Sequence, residues 1–263
     1  MPMSLPNGAG PHLQHIFQNS KWARTGSGTL PNSWAVEMED TLRFYDQQGR
    51  LLPRLKGLRG NRRKLFAELA EARAGRFLNN SGSRILGWEP PSHMGNNLGD
   101  ILVQWGATAP VFVEVKGPDW EGEFEGELEK EEFLKRKALG RYVDVESRAV
   151  SPVGTSFRVI RKNMLRKLAG DRPSLAVIVD DFRDSPAEAR GVIEGSVAAF
   201  FGGPDVKRLG GVLFLKPETV WGKPVYYLSN FYHNPNAFAA CRLPGPVIDV
   251  LTASADRDAA MIA

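Results

Sequence analysis

Cysteine is almost missing from this chain: Cys241 stands alone among 263 residues. No internal disulfide can form, which suits a reducing compartment. Histidine is scarce as well. His12, His15, His93 and His233 have no cysteine partners, and only His12 and His15 are spaced as paired ligands could be, so no zinc site is expected. No apolar run approaches the roughly 20 residues that cross a bilayer. The N-terminus lacks the basic segment and apolar stretch of a secretory leader. The expectation is a cytoplasmic protein with no membrane association. Walker loop, dinucleotide fingerprint, serine-nucleophile elbow and internal repeat are also missing, which excludes the commonest nucleotide-binding and hydrolase classes.

What is present is an ordinary globular composition, 42% hydrophobic and 24% charged. The length suits one large α/β domain over residues 31–255. Residues 1–30, rich in Gly, Pro, Ser and Asn, read as a mobile arm that Trp22 and Trp34 could anchor, and 256–263 as a frayed tail. The net charge is only +4, but it is unevenly spread. Between Asp119 and Glu132 there are eight acids and one lysine, so the remainder carries +11. That remainder suits an anionic partner.

The most informative stretch is Leu98 to Lys116. Ile101-Leu102-Val103-Gln104-Trp105 and Val111-Phe112-Val113-Glu114-Val115-Lys116 alternate like strands, and Gly106 to Pro110 supplies a turn, which predicts an antiparallel hairpin. Residues two apart on a strand share a face, so Glu114 and Lys116 project together while Val113 and Val115 enter the core. The hairpin brings Asp100 back beside them. Two carboxylates held close repel unless a cation separates them, and Mg²⁺ takes hard oxygen ligands of this kind. A neighbouring lysine can orient water and offset phosphate charge, which suits metal-assisted phosphodiester hydrolysis. A second acid-x-Lys triplet, Asp205-Val206-Lys207, lies in Gly-Pro-rich surroundings that read as a loop.

Asp100…Glu114-Val115-Lys116 resembles the signature of the PD-(D/E)XK nuclease superfamily, with Gly99 where many members have proline. The run Glu71-x-x-Ala74-x-x-x-Leu78-x-x-x-Gly82-x-x-Ile85-Leu86 is similar to the first motif of its resolvase-like members. The resemblance implies a restriction-endonuclease-like core: a mixed central sheet flanked by helices in the order αβββαβ, here with an N-terminal extension and an insertion of about 117–155. It implies a Mg²⁺- or Mn²⁺-dependent nuclease, with DNA favoured over RNA and a homodimer left open. Asp100, Glu114 and the Val115 carbonyl would hold metal, Lys116 would activate water, and Glu71, or else Glu68, would support them. Two alternatives stay open: a nucleic-acid-binding or assembly module on the same fold that does not cleave, and an unrelated α/β protein in which Glu114 and Lys116 form a surface ion pair of little energetic consequence.

Around this centre the chain predicts strands at Trp34 to Met38 and Leu42 to Tyr45, then a helix from Lys64 to Asn79 with one apolar side. The basic run Arg50, Arg54, Lys56, Arg59, Arg62, Arg63, Lys64 is read either as a solvated helix start or as phosphate contacts, chiefly Arg59, Arg62 and Arg63. Ser83 to Trp88 is expected to be the first core strand, and Pro90 to Asn97 a loop where His93 could meet substrate. Phe124 to Leu139 reads as an exposed helix with acids first and bases last, and Glu121 or Glu123, just before it, could add to the metal site. Ser156 or Thr155 should cap a helix over Phe157 to Leu168, on which Lys162 is the chosen backbone contact. Ser174 to Val179 reads as a buried strand ending at Asp180-Asp181, followed by a helix over Ala187 to Phe201 and strands at Gly211 to Leu215 and Val225 to Leu228.

Overall fold

A computed structural model describes residues 2–26, 28–90, 99–117, 152–168, 170–179, 187, 193–218 and 226–260. The expected insertion helix, His93, Glu121, Glu123 and the Asp180-Asp181 pair lie outside the described residues. The chain is an α/β protein built on a six-stranded mixed sheet. Its strands are β1 (Ser83–Trp88), β2 (Ile101–Trp105), β3 (Val111–Lys116), β4 (Ser174–Val179), β5 (Gly211–Glu218) and β6 (Tyr226–His233), and they lie side by side in sequence order. The first three are antiparallel, β3, β4 and β5 run parallel, and β6 returns antiparallel along β5. The parallel strands β3 and β4 are covered on both faces, as such pairs require.

Four helices precede the sheet: α1 (Pro11–Phe17), α2 (Lys21–Thr25), α3 (Asn32–Gln47) and α4 (Leu51–Leu58). They correct two expectations. Where a loose arm was expected, α1 and α2 bury Leu13, Ile16 and Trp22, and the Trp22 indole donates to the Leu58 carbonyl at 2.9 Å. Where strands were expected, α3 is continuous. Its buried Ala35, Met38, Leu42 and Tyr45 recur at helical intervals, and this period outweighs the β-favouring content of the local tetrapeptides.

The fifth helix, α5 (Arg62–Asn80), lies between this helical layer and the sheet. It therefore has two apolar sides and not one. Leu65, Leu69 and Ala72 pack with the N-terminal helices, and Ala70, Ala74, Phe77 and Leu78 pack on the sheet. Arg73, almost wholly buried, forms a two-pronged pair with Glu37 of α3 at 2.9 and 2.5 Å.

The other face of the sheet is covered by α6 (Pro152–Val159) and α7 (Glu194–Phe201), whose Phe157 and Phe200 rings stack at 4.3 Å. Helix α6 starts at Pro152, so Ser156 is a buried residue within the helix and not its cap. Beyond Val159 the α-helix gives way to a π turn (Ile160–Met164) and a 3₁₀ turn (Leu165–Lys167). Each change of winding rotates the later side chains away from their ideal α-helical phase. Helix α7 begins at Glu194, later than expected. The last strand is longer than expected, and residues 256–260 of the expected tail belong to α8 (Gly245–Ala260), which packs Val247 and Leu251 against the sheet. Asp205-Val206-Lys207 falls in a 3₁₀ turn outside the sheet. Among the described residues no helix is long and apolar enough to cross a membrane.

Candidate active site

The β2–β3 hairpin pairs Ile101 with Val113 and Val103 with Val111. One step further along this register sets Asp100 against Glu114. Alternation then puts Asp100, Glu114 and Lys116 on the face beneath α6, while Val113 and Val115 join the core beneath α5. Three ties fix Asp100. Its amide donates to the Val113 carbonyl at 2.8 Å, its carbonyl accepts from the Glu89 amide at 2.8 Å, and its Oδ2 accepts from the Val115 amide at 2.8 Å.

Gly99 accounts for the departure from the proline of the resembled signature. It adopts φ 71°, and a Cβ there would lie 2.7 Å from the Val113 carbonyl oxygen. Proline cannot reach a positive φ, and an L side chain would push the strands apart.

Glu114 is fully buried and Asp100 is 7% exposed. Two lysines converge on them. Lys116 Nζ is 2.7 Å from Glu114 Oε1 and 4.0 Å from Asp100 Oδ2, and it donates to the Val115 carbonyl at 3.0 Å. Lys167 Nζ is 2.7 Å from Glu114 Oε1 and 3.6 Å from Asp100 Oδ1. Both contacts with Oε1 are at ion-pair distance but off the angle of a hydrogen bond, and Oε2 of Glu114 has no hydrogen-bond partner among the described residues. Burial, and then the Asp100 charge, raise the Glu114 carboxyl above its ordinary range, against the pull of the two lysines. Burial would lower the Lys167 ammonium, but Asp100 and Glu114 outweigh it and its affinity for protons rises.

The helix glutamates form a second cluster, approached from the α5 side. Glu71 does not contact Glu114. Its Oε2 meets the Arg54 guanidinium at 3.2 Å, Glu68 meets the same group at 3.4 Å, and Glu89 meets it at 2.7 Å. Arg50 holds Glu89 from the other side at 2.9 Å. Glu89 takes φ 49°, a left-handed conformation that costs about 1 kcal/mol. Glu71 is pushed up to about 8, by burial first and Asp100 second, with Arg54 opposing. Glu68 rises for the same first reason. Burial acts upward on Glu89 too, but hydrogen bonding to Arg50 and the Arg54 charge outweigh it, and Glu89 is lowered. The two clusters meet at Asp100, through the Glu89 amide and through the field that Asp100 exerts on Glu71.

Lys162 is exposed and makes none of these contacts, which belong to Lys167, five residues later. Arg59 donates to the His15 carbonyl at 2.7 Å. Arg62 and Arg63 open α5 with Lys64, and no acid accompanies them in that turn. Sequence reasoning missed Lys167, Arg54 and Glu89. The only signal for Lys167 was its place in a basic run, and nothing marked Arg54 and Glu89 as partners of helix acids.

The donor set fits one hard divalent cation. Asp100 Oδ1 and the partnerless Glu114 Oε2 are oxygen donors beside the Val115 carbonyl, and Asp100 and Glu114 already share a single ammonium group, so one cation can serve both. Among the described residues no group of three His, Cys, Asp or Glu that could hold a metal ion assembles. Comparison with protein-family models, curated proteins and solved structures finds no match for this chain.

Proposed function

We propose that this protein is a metal-dependent nuclease that hydrolyses phosphodiester bonds, with DNA as its expected substrate. The observation that carries the reading is the convergence of Asp100, Glu114 and Lys116 on one face at the end of the hairpin, with both carboxylates close enough to share a cation. The order of α5, β1, β2, β3, α6 and β4 also agrees with the αβββαβ core of the PD-(D/E)XK superfamily, which the sequence resembles.

Asp100, Glu114 and the Val115 carbonyl would hold Mg²⁺ or Mn²⁺. The bound ion would supply Lewis-acid stabilisation of phosphate charge and a more acidic water. Lys116, anchored on the Val115 carbonyl, would hold that water in line with the phosphorus. Asp100 is kept in place by the Val115 amide on Oδ2, which would leave Oδ1, 3.6 Å from Lys167 Nζ, to hold the ion. Glu71, raised in pKa and tethered by Arg54, would accept or return a proton near neutral pH. The Arg62-Arg63-Lys64 turn would supply backbone contacts, since its three bases stand together at a helix N-terminus, where the helix dipole disfavours cations.

A non-cleaving binding or assembly module is favoured by one observation: two lysines already balance the two carboxylates. Incubation with single-stranded, duplex and branched DNA separates the readings. The nuclease reading expects cleavage with Mg²⁺ or Mn²⁺, little turnover with Ca²⁺, and none in excess EDTA. Binding with no cleavage of any substrate would favour the module.

A further inference from the structure

The two ammonium groups at the carboxylate pair are not equivalent. Both lie 2.7 Å from the same oxygen of Glu114, so they repel one another across it. Lys116 is fixed to its own strand by the Val115 carbonyl. Lys167 reaches in from another element, at the last residue of a 3₁₀ turn, after which Leu168 is extended. Its side chain is 38% exposed against 29% for Lys116. With both lysines present the four side chains are neutral together. Adding a divalent cation would leave a +2 excess around a fully buried carboxylate, and loss of one ammonium lowers that excess.

Resting on the nuclease reading, we propose that Lys167 is an exchangeable counter-ion: it competes with the divalent cation for Asp100 and Glu114, and once displaced its ammonium contacts a phosphate of the substrate. Lys167 thus differs from Lys116, which stays at the carboxylates in both states. The exchange ties metal loading to substrate affinity. The ion that completes the site also releases a cation for the nucleic acid.

The test is Mn²⁺ and Ca²⁺ titration by calorimetry, without nucleic acid, on wild type, Lys167→Met and Lys167→Arg. Removing the competitor should tighten metal binding roughly three- to tenfold in Lys167→Met, while Lys167→Arg should stay near wild type. Equal or weaker binding by Lys167→Met would overturn the exchange and leave the nuclease reading standing. Failure of wild type and both variants to bind either ion would remove the nuclease reading itself. Because Lys167→Met leaves two carboxylates with one cation, a second measurement, which does not depend on that variant folding, uses only wild type. Amine acylation followed by mass spectrometry should show Lys167 becoming more reactive as Mn²⁺ is added, relative to Lys116, and an unchanged ratio would overturn the proposal. In Ca²⁺, Lys167→Met should also lower the salt dependence of DNA binding by about one ion. An undiminished slope would remove the phosphate contact.

Discussion

Arg54 is the centre of the acid cluster, and its removal has a calculable consequence. Arg54→Met keeps most of the volume of the side chain but leaves Glu68, Glu71 and Glu89 without their shared cation. Glu68 and Glu71 are 14% and 16% exposed, and Glu89 is 36% exposed and keeps Arg50. Breaking a fully buried pair costs about 3–5 kcal/mol. Partial exposure and the retained Arg50 reduce this to about 2–3 kcal/mol. The cost should depend on pH. Glu68 and Glu71 have folded-state pKa values above their unfolded ones, and loss of Arg54 raises them further. Below the unfolded carboxylate range both states are protonated and the penalty vanishes. Ionisation of the unfolded chain is common to both proteins and cancels, so for Glu71 the penalty grows as pH rises through the wild-type folded value of about 8 and is complete only above the higher value in Arg54→Met. Urea denaturation of wild type and Arg54→Met at pH 5 and pH 8.5 should give a smaller difference at the lower pH, where Glu89 alone is held ionised by the pair, and a larger one at the higher. An equal loss at both would mean that Arg54 acts through packing, and no loss at either would mean that the acid cluster is not held by charge.

Other perturbations test the remaining parts. Gly99→Ala should destabilise by about 2–3 kcal/mol, from the left-handed backbone and the approach to Val113, with a lower melting temperature as the readout. Glu71→Gln should stabilise the fold increasingly from pH 5 to pH 8, because it removes a carboxylate that the folded state holds protonated, and a constant difference in melting temperature would contradict that. Neutralising Arg62 and Arg63 together should lower the salt slope of DNA binding by about two, whereas an unchanged slope would return them to a solvated helix start. Arg59 is a poorer probe, since its contact with the His15 carbonyl would be lost with its charge.

The hairpin is legible in the sequence because its period of two is strict and its turn is short. Period and turn together assign Asp100, Glu114 and Lys116 to one face. Register supplies the rest, since a strand slipped by one residue would turn all three away. Helix α3 reads as strands because Trp34-Ala35-Val36 and Phe44-Tyr45 carry strand-like residue types, while its helical period only emerges over eleven residues. Lys167 is invisible for a different reason. A basic run on a regular helix offers several equivalent candidates, and the π and 3₁₀ turns that set its final phase leave no clear residue signature. The Arg54 cluster joins α4, α5 and the end of β1, and such long-range pairing of charges cannot be read from spacing. Helix α8 escapes notice because its alanines and aspartates carry little amphipathic contrast.

The most direct test of the nuclease reading is single-turnover cleavage by Lys116→Ala, measured with its melting temperature and DNA affinity. The substitution removes a cation but no proposed metal ligand, and the core beneath α5 is carried by Val113 and Val115. The fold and most of the DNA affinity should survive, and cleavage should fall by at least about a hundredfold, because water positioning matters chiefly in the transition state. Asp100→Asn should also lose cleavage but regain part of it at high metal concentration, which Lys116→Ala should not. A folded Lys116→Ala that cleaves like wild type would contradict the account, because the hairpin would then not be the catalytic centre.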